Sequence, residues 1–135
     1  MASVEIALKV QFYDLDPMQI VWHGNYPRYF EQARVELMES IGYSFREMEA
    51  SGYFWPIVDM RIKYVRPLRF GQPIAVSAAI VDYENRLRID YRIRDRDSGE
   101  VLTKATTIQV AVLAATGELC LESPPALTER LRGRS

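Results

Sequence analysis

The stretch Asp14-Leu15-Asp16-Pro17-Met18-Gln19-Ile20-Val21-Trp22-His23-Gly24 carries two carboxylates and the chain's single histidine. It has no lasting hydrophobic period and contains Pro and Gly, so it reads as a loop. From about Asn25 a helical period begins, which puts these groups just ahead of a helix N-terminus. That combination suits acyl transfer. Such chemistry needs a group that attacks a carbonyl carbon or activates water, and donors for the developing oxyanion. Amides at a helix start are free to donate, and the dipole adds partial positive charge. One such donor is typically worth ~3–4 kcal/mol of barrier. Asp-Pro is also an ordinary turn initiator, so spacing alone leaves both roles open for Asp16. Asp14 is the competing carboxylate, with loop amides as its alternative task. His23 has three readings: a base, a polar contact to substrate, or a plain loop side chain.

Other residues have two readings each. Glu31 either pairs with Arg34 at i,i+3 or lines a pocket. Trp22, Tyr26, Phe54 and Trp55 line such a pocket or belong to the core. Arg66 and Arg69 flank Pro67 at a strand end. Their guanidinium forks suit phosphate groups, and a solvated strand end is the alternative. Arg86, Arg88, Arg92, Arg94 and Arg96 interleave with Asp82, Glu84, Asp90, Asp95, Asp97 and Glu100. That is a mixed exposed face, not a nucleic-acid groove.

These groups need elements to hold them. Val4, Ile6, Leu8, Val10 and Phe12 alternate with polar or small residues, the pattern of a half-buried strand. Tyr26, Tyr29, Phe30, Ala33, Leu37 and Ile41 recur at helical spacing. Asn25 is placed to cap this helix, Pro27 sits in its first turn and Gly42 ends it. Val35 and Met38 give the helix a second apolar side, so it is expected to be largely buried. A short helix over Ser44–Ala50 follows. Strands are then expected around Val58–Tyr64, Ile74–Ile80, Leu87–Ile93 and Thr103–Leu113, with a short one at Leu119–Leu121. Ser123 caps a last helix with Pro124 at its first position. Short turns between successive strands predict an antiparallel meander. One buried helix against a curved antiparallel sheet is an α+β layout.

The chain of 135 residues fits a single domain, 1–135, and its 48% hydrophobic content excludes global disorder. With 17 basic and 18 acidic residues it has no field to attract nucleic acid. One cysteine, Cys120, excludes an internal disulfide framework and offers no zinc motif. No metal or cofactor is expected. Nothing in MASVEIALKV resembles a signal peptide, and no run approaches the ~18 apolar residues of a membrane span. A cytoplasmic protein is expected.

The sequence resembles the hotdog-fold thioesterases, in particular the 4-hydroxybenzoyl-CoA thioesterase-like family. The likeness rests on Asp16-Pro17-x-x-Ile20-Val21-Trp22, then Asn25-Tyr26-x-x-Tyr29. Glu31, Ala33 and Arg34 resemble the family's Tyr-x-Glu-x-Ala-Arg run. Tyr64, Arg66, Pro67, Arg69, Phe70 and Gly71 resemble its Tyr-x-x-Pro-x-x-x-Gly strand end. The resemblance implies a hotdog fold and hydrolysis of an acyl-CoA thioester. It implies that Asp16 is the nucleophile or general base and that amides near His23 polarise the thioester carbonyl. Trp22, Tyr26, Glu31, Trp55, Arg66 and Arg69 would contact the substrate. A homodimer assembling into a homotetramer is implied, with sites at the subunit boundary. Met18 and Gln19 depart from the family, where a small residue and Gly are common. Gln72 stands where an acidic residue is common. No Gly-x-Ser-x-Gly elbow exists for a serine hydrolase. A non-hydrolytic acyl-CoA or acyl-carrier-protein binding module and a hydratase on the same scaffold are the rival readings.

Overall fold

The computed structural model describes residues 2–132. Among them, three α-helices and seven strands follow the order β1 (Ser3–Lys9), α1 (Tyr26–Ser40), α2 (Phe45–Ser51), β2 (Tyr53–Phe54), β3 (Ile57–Tyr64), β4 (Pro73–Asp82), β5 (Leu87–Asp95), β6 (Val101–Gln109), β7 (Val112–Leu113) and α3 (Pro125–Leu131). Five strands form one antiparallel sheet in the order β1-β4-β5-β6-β3, and β2 pairs with β7 in a small second sheet. The fold is the expected α+β hotdog arrangement of one long helix against one antiparallel sheet.

The alternating strands present one apolar face to that helix. Ile74, Val76, Ala78 and Ile80 of β4 are buried, as are Leu87, Ile89, Tyr91 and Ile93 of β5. From α1, Tyr26, Tyr29, Phe30, Ala33, Leu37 and Met38 meet them. Phe30 packs on Tyr91 with ring centroids 5.0 Å apart. Burying side chains of this size contributes ~1.5–3 kcal/mol each, before entropy is counted. The second apolar side of α1 is only half satisfied. Met38 is buried, whereas Val35 stays 49% exposed.

Several boundaries differ from expectation. The meander holds for β4-β5-β6, but β3 crosses to the far edge beside β6 and β1 takes the edge beside β4. Alternation fixes which face a strand buries, not its neighbour. β1 stops at Lys9; Phe12 opens a short 3-10 turn over Phe12–Asp14 and is 76% exposed. The long last strand divides into β6 and β7. Leu119–Leu121 is not a strand and makes a single bridge to Val112. Pro124, not Ser123, holds the cap position of α3, without a side-chain cap bond.

Candidate active site

Leu15 and Val21 pair as an antiparallel bridge, so the loop is a small hairpin. Asp16 and Gln19 close its turn: the Gln19 amide donates to the Asp16 carbonyl at 2.9 Å, and the Asp16 amide to the Ile20 carbonyl at 2.8 Å. The Met18 amide donates to Asp16 Oδ1 at 2.8 Å. Oδ2 has no hydrogen-bond partner among the described residues. The half-buried carboxylate is therefore oriented by one oxygen and free at the other.

Gln19 closes the hairpin with φ at 66°, the left-handed conformation usually given to glycine in such turns. The loop thus follows the glycine-like path despite its departure from the family's pattern. Left-handed backbone costs a non-glycine residue about 1–2 kcal/mol. Gln19→Gly is expected to raise stability by about 1 kcal/mol and Tm by roughly 3–5 °C. An unchanged or lower Tm in thermal unfolding would show that no strain is stored there.

Asp14 anchors the base of the hairpin. It is 6% exposed. Its Oδ2 accepts from the Tyr29 hydroxyl and from the Gln11 amide, both at 2.9 Å. Its carbonyl accepts from the Trp22 amide at 3.0 Å and from Asn25 Nδ2 at 2.9 Å. Asn25 sits at the cap position but makes no side-chain cap bond. A 3-10 turn over His23–Asn25 runs straight into α1, and Asn25 is already helical, so its amide reaches the loop instead.

That continuity opens the helix at its entrance. Trp22 donates to Asp14 and Asn25 donates to the Trp22 carbonyl, but the amides of His23 and Gly24 have no acceptor among the described residues. The His23 carbonyl accepts from the Tyr64 hydroxyl at 3.0 Å, which ties the end of β3 to the helix start. The His23 imidazole is exposed, with its ring 5.3 Å from that of Trp22. A β-carbon on Gly24 would lie 2.5 Å from the Trp22 indole, so the glycine lets that ring cover the turn.

Burial holds the phenols of Tyr26, Tyr29, Tyr64 and Tyr91 above their ordinary value of 10.0. Tyr29 is raised furthest, because its hydroxyl also donates to the Asp14 carboxylate. Raised groups stabilise the fold fully below the unfolded value, and that stability is lost as pH rises towards the folded value. Tm is therefore expected to fall above about pH 10, with tyrosinate absorbance appearing only on unfolding. Tyr29→Phe should flatten the decline. Tyrosinate formed in the folded protein well before the transition would contradict this.

A second feature lies farther along α1. A groove of about 490 Å³ is bounded by Glu31, Arg34, Val35 and Met38 of α1, Phe45 and Met48 of α2, and by Tyr53, Phe54, Trp55 and Gln109. Trp55 is 7% exposed, and its indole N–H donates to the Tyr43 hydroxyl at 3.0 Å. Glu31 pairs with Arg34 at 3.4 Å on the rim.

Asp16, Trp22 and His23 thus share the hairpin and helix entrance. Arg69 joins them through a bridge between its backbone and Ile20. Glu31 and Trp55 lie on the groove. Tyr26 is a core residue, 2% exposed, packed edge-on against Tyr64 at 4.7 Å, and does not line the groove. Arg66 pairs with Glu100 beside β6. Gln109 was not singled out from sequence. Its signal is a long polar side chain at an inward position of β6, in step with Thr103, Ala105 and Thr107.

One long helix packed against one antiparallel sheet is the hotdog arrangement found among acyl-thioester enzymes. Residues 10–131 match the Thioesterase-like superfamily. The chain belongs to that superfamily and shares its class of activity, thioester hydrolysis. It is 33% identical over 106 residues to a Bacillus subtilis protein named "Putative acyl-CoA thioesterase YneP", covering 78% of this chain and 76% of that one. A hypothetical protein of Aquifex aeolicus has a similar structure, with TM-score 0.84, 27% identity, and 96% of this chain and 99% of that chain covered. A 1,4-dihydroxy-2-naphthoyl-CoA thioesterase from Synechocystis shares the fold, with TM-score 0.84, 19% identity, and 96% and 95% covered.

Proposed function

We propose that the protein is an acyl-CoA thioesterase in which Asp16 carries the reaction. The observation behind this is the free Oδ2 of Asp16 on the hairpin that leads into the turn whose His23 and Gly24 amides have no acceptor among the described residues. Asp16 either attacks the thioester carbonyl or takes a proton from the attacking water. Both routes put negative charge on the carbonyl oxygen, where those amides and the helix dipole stabilise it. The His23 imidazole has no required part. Coenzyme A leaves as the thiol, and Arg69, beside the hairpin, is a candidate for its phosphates.

The edge strand β3 supports a dimer. Among the described residues it pairs with β6 alone; Ile57, Val58 and Tyr64 are exposed along it, and Val65 just beyond its end. Antiparallel pairing of β3 with a second copy would close that edge. A two-fold axis between Met60 and Arg61 sets Tyr64 of one copy opposite Ile57 of the other. The Tyr64 end carries the helix entrance, and Ile57 pairs with Gln109 at the groove. Each groove would then face the helix entrance of the other copy, giving two composite sites. Further pairing of dimers would give a tetramer. The single free cysteine, Cys120, suits the reducing cytoplasm.

Free-thiol release from a panel of acyl-CoA thioesters tests the function. Turnover of at least one thioester is expected. Binding without release on every member would favour the binding module, and loss of enoyl-CoA absorbance would favour a hydratase. Sedimentation velocity gives the oligomeric state, and a monomer at micromolar concentration would remove the composite site.

A further inference from the structure

We propose that Gln109 is a specificity residue, whose side-chain oxygen accepts a hydrogen bond from a hydroxyl group on the acyl part of the substrate. This rests on the thioesterase reading and names the acyl chemistry that the groove takes.

Gln109 is 4% exposed and is an inward residue at the end of β6. Its Nε2 donates to the Trp55 carbonyl at 2.7 Å. That bond fixes the amide orientation, because the flipped form would set oxygen against oxygen. Oε1 is consequently the free end, and it is buried with no partner among the described residues. A buried acceptor without a donor is uncommon and costly. Gln109 lines the groove, whose other walls are largely aliphatic and aromatic side chains.

The rest of the wall does not relieve Oε1. Arg34 is engaged by Glu31, and the Trp55 indole N–H by Tyr43. The inward neighbour Thr107 bonds the Tyr91 hydroxyl at 2.8 Å. A hydroxyl on the acyl group that enters the groove would supply that donor. A purely hydrocarbon acyl group would leave Oε1 orphaned, whereas a hydroxylated one pairs it. Met38 and Met48 on the walls are unbranched and adaptable, so they can yield as the group seats. Sites that hydrogen-bond a substrate hydroxyl reject the analogue lacking it far better than apolar pockets discriminate by size.

The test uses thioether analogues of coenzyme A, which bind but cannot be hydrolysed, in two matched pairs. One pair carries benzyl and hydroxybenzyl groups, the other hexyl and 6-hydroxyhexyl. Calorimetry should show the wild-type chain preferring the hydroxylated member of at least one pair by about 10-fold. The pair that responds tells an aromatic from an aliphatic acyl group. Gln109→Met keeps the length and removes the acceptor, and should bring the ratio to within about 2-fold of unity. Gln109→Asn, which withdraws the oxygen by one methylene, serves if the first variant fails to fold. Equal binding within both pairs, no binding at all, or a preference that survives in the variants overturns the proposal. Hydrolysis of the matching thioesters separates the two readings. Turnover without preference fails only this one, while preference without turnover fails only the thioesterase.

Discussion

Asp16→Asn is expected to lower kcat for acyl-CoA hydrolysis at least ~100-fold, with Tm within about 2 °C of wild type. The variant isolates charge from structure. Asn keeps a side-chain oxygen for the Met18 amide, so the turn that Asp16 closes survives. It lacks the second carboxylate oxygen, which in the proposed reaction attacks carbon or accepts a proton. Coenzyme A and acyl contacts are untouched, so KM should change little and the loss should fall on kcat. Asp16→Ala removes the turn bond as well, and should lose about 1 kcal/mol of stability in addition. Thiol release at the wild-type rate from Asp16→Asn would take this carboxylate out of the mechanism.

The long helix and the strands β4 and β5 were legible in the sequence for physical reasons. Tyr26, Tyr29, Phe30, Ala33 and Leu37 repeat at a spacing only a helix turns into one face, and all are buried. β4 and β5 alternate so strictly that their inward residues could be named one by one. The neighbour order of β3 was not legible. Its pairing with β6 joins segments about forty to fifty residues apart, and period-two alternation is identical for a central and an edge strand. Phe12 misled because alternation continued past the point where the chain turned to bring Asp14 under Tyr29.

The candidate site was legible in its carboxylate half only. Asp16-Pro17 and the residues up to Asn25 are contiguous, so their local chemistry shows in one stretch. The groove is assembled from α1, α2, β2 and the end of β6, which no local pattern connects. Tyr26 has two readings in the sequence, and its burial favours the core. An aromatic at a helix start next to a reactive loop looks like substrate wall, but its position on the apolar face commits it to the core. Glu31, on the other face, is exposed at the groove. Helical phase, five residues apart, decided between the two.

Asp14→Ala is the substitution expected to cost the most stability among the loop residues. It leaves the Tyr29 hydroxyl and the Gln11 amide without their shared acceptor. An abandoned buried donor costs about 1–3 kcal/mol, so a loss of about 3 kcal/mol and a Tm drop near 10 °C are expected. Activity should fall too, well below the melting transition, because Asp14 pins the hairpin that aims Asp16. Tyr29→Phe alone is milder, about 1 kcal/mol, since Asp14 still accepts from Gln11. The double variant should then lose less than the two singles added together, because Tyr29 no longer has a hydroxyl to orphan. Chemical denaturation of the four proteins measures this coupling. Additive losses would mean that the Asp14–Tyr29 contact does not hold the loop, and that the hairpin is fixed by its backbone bonds alone.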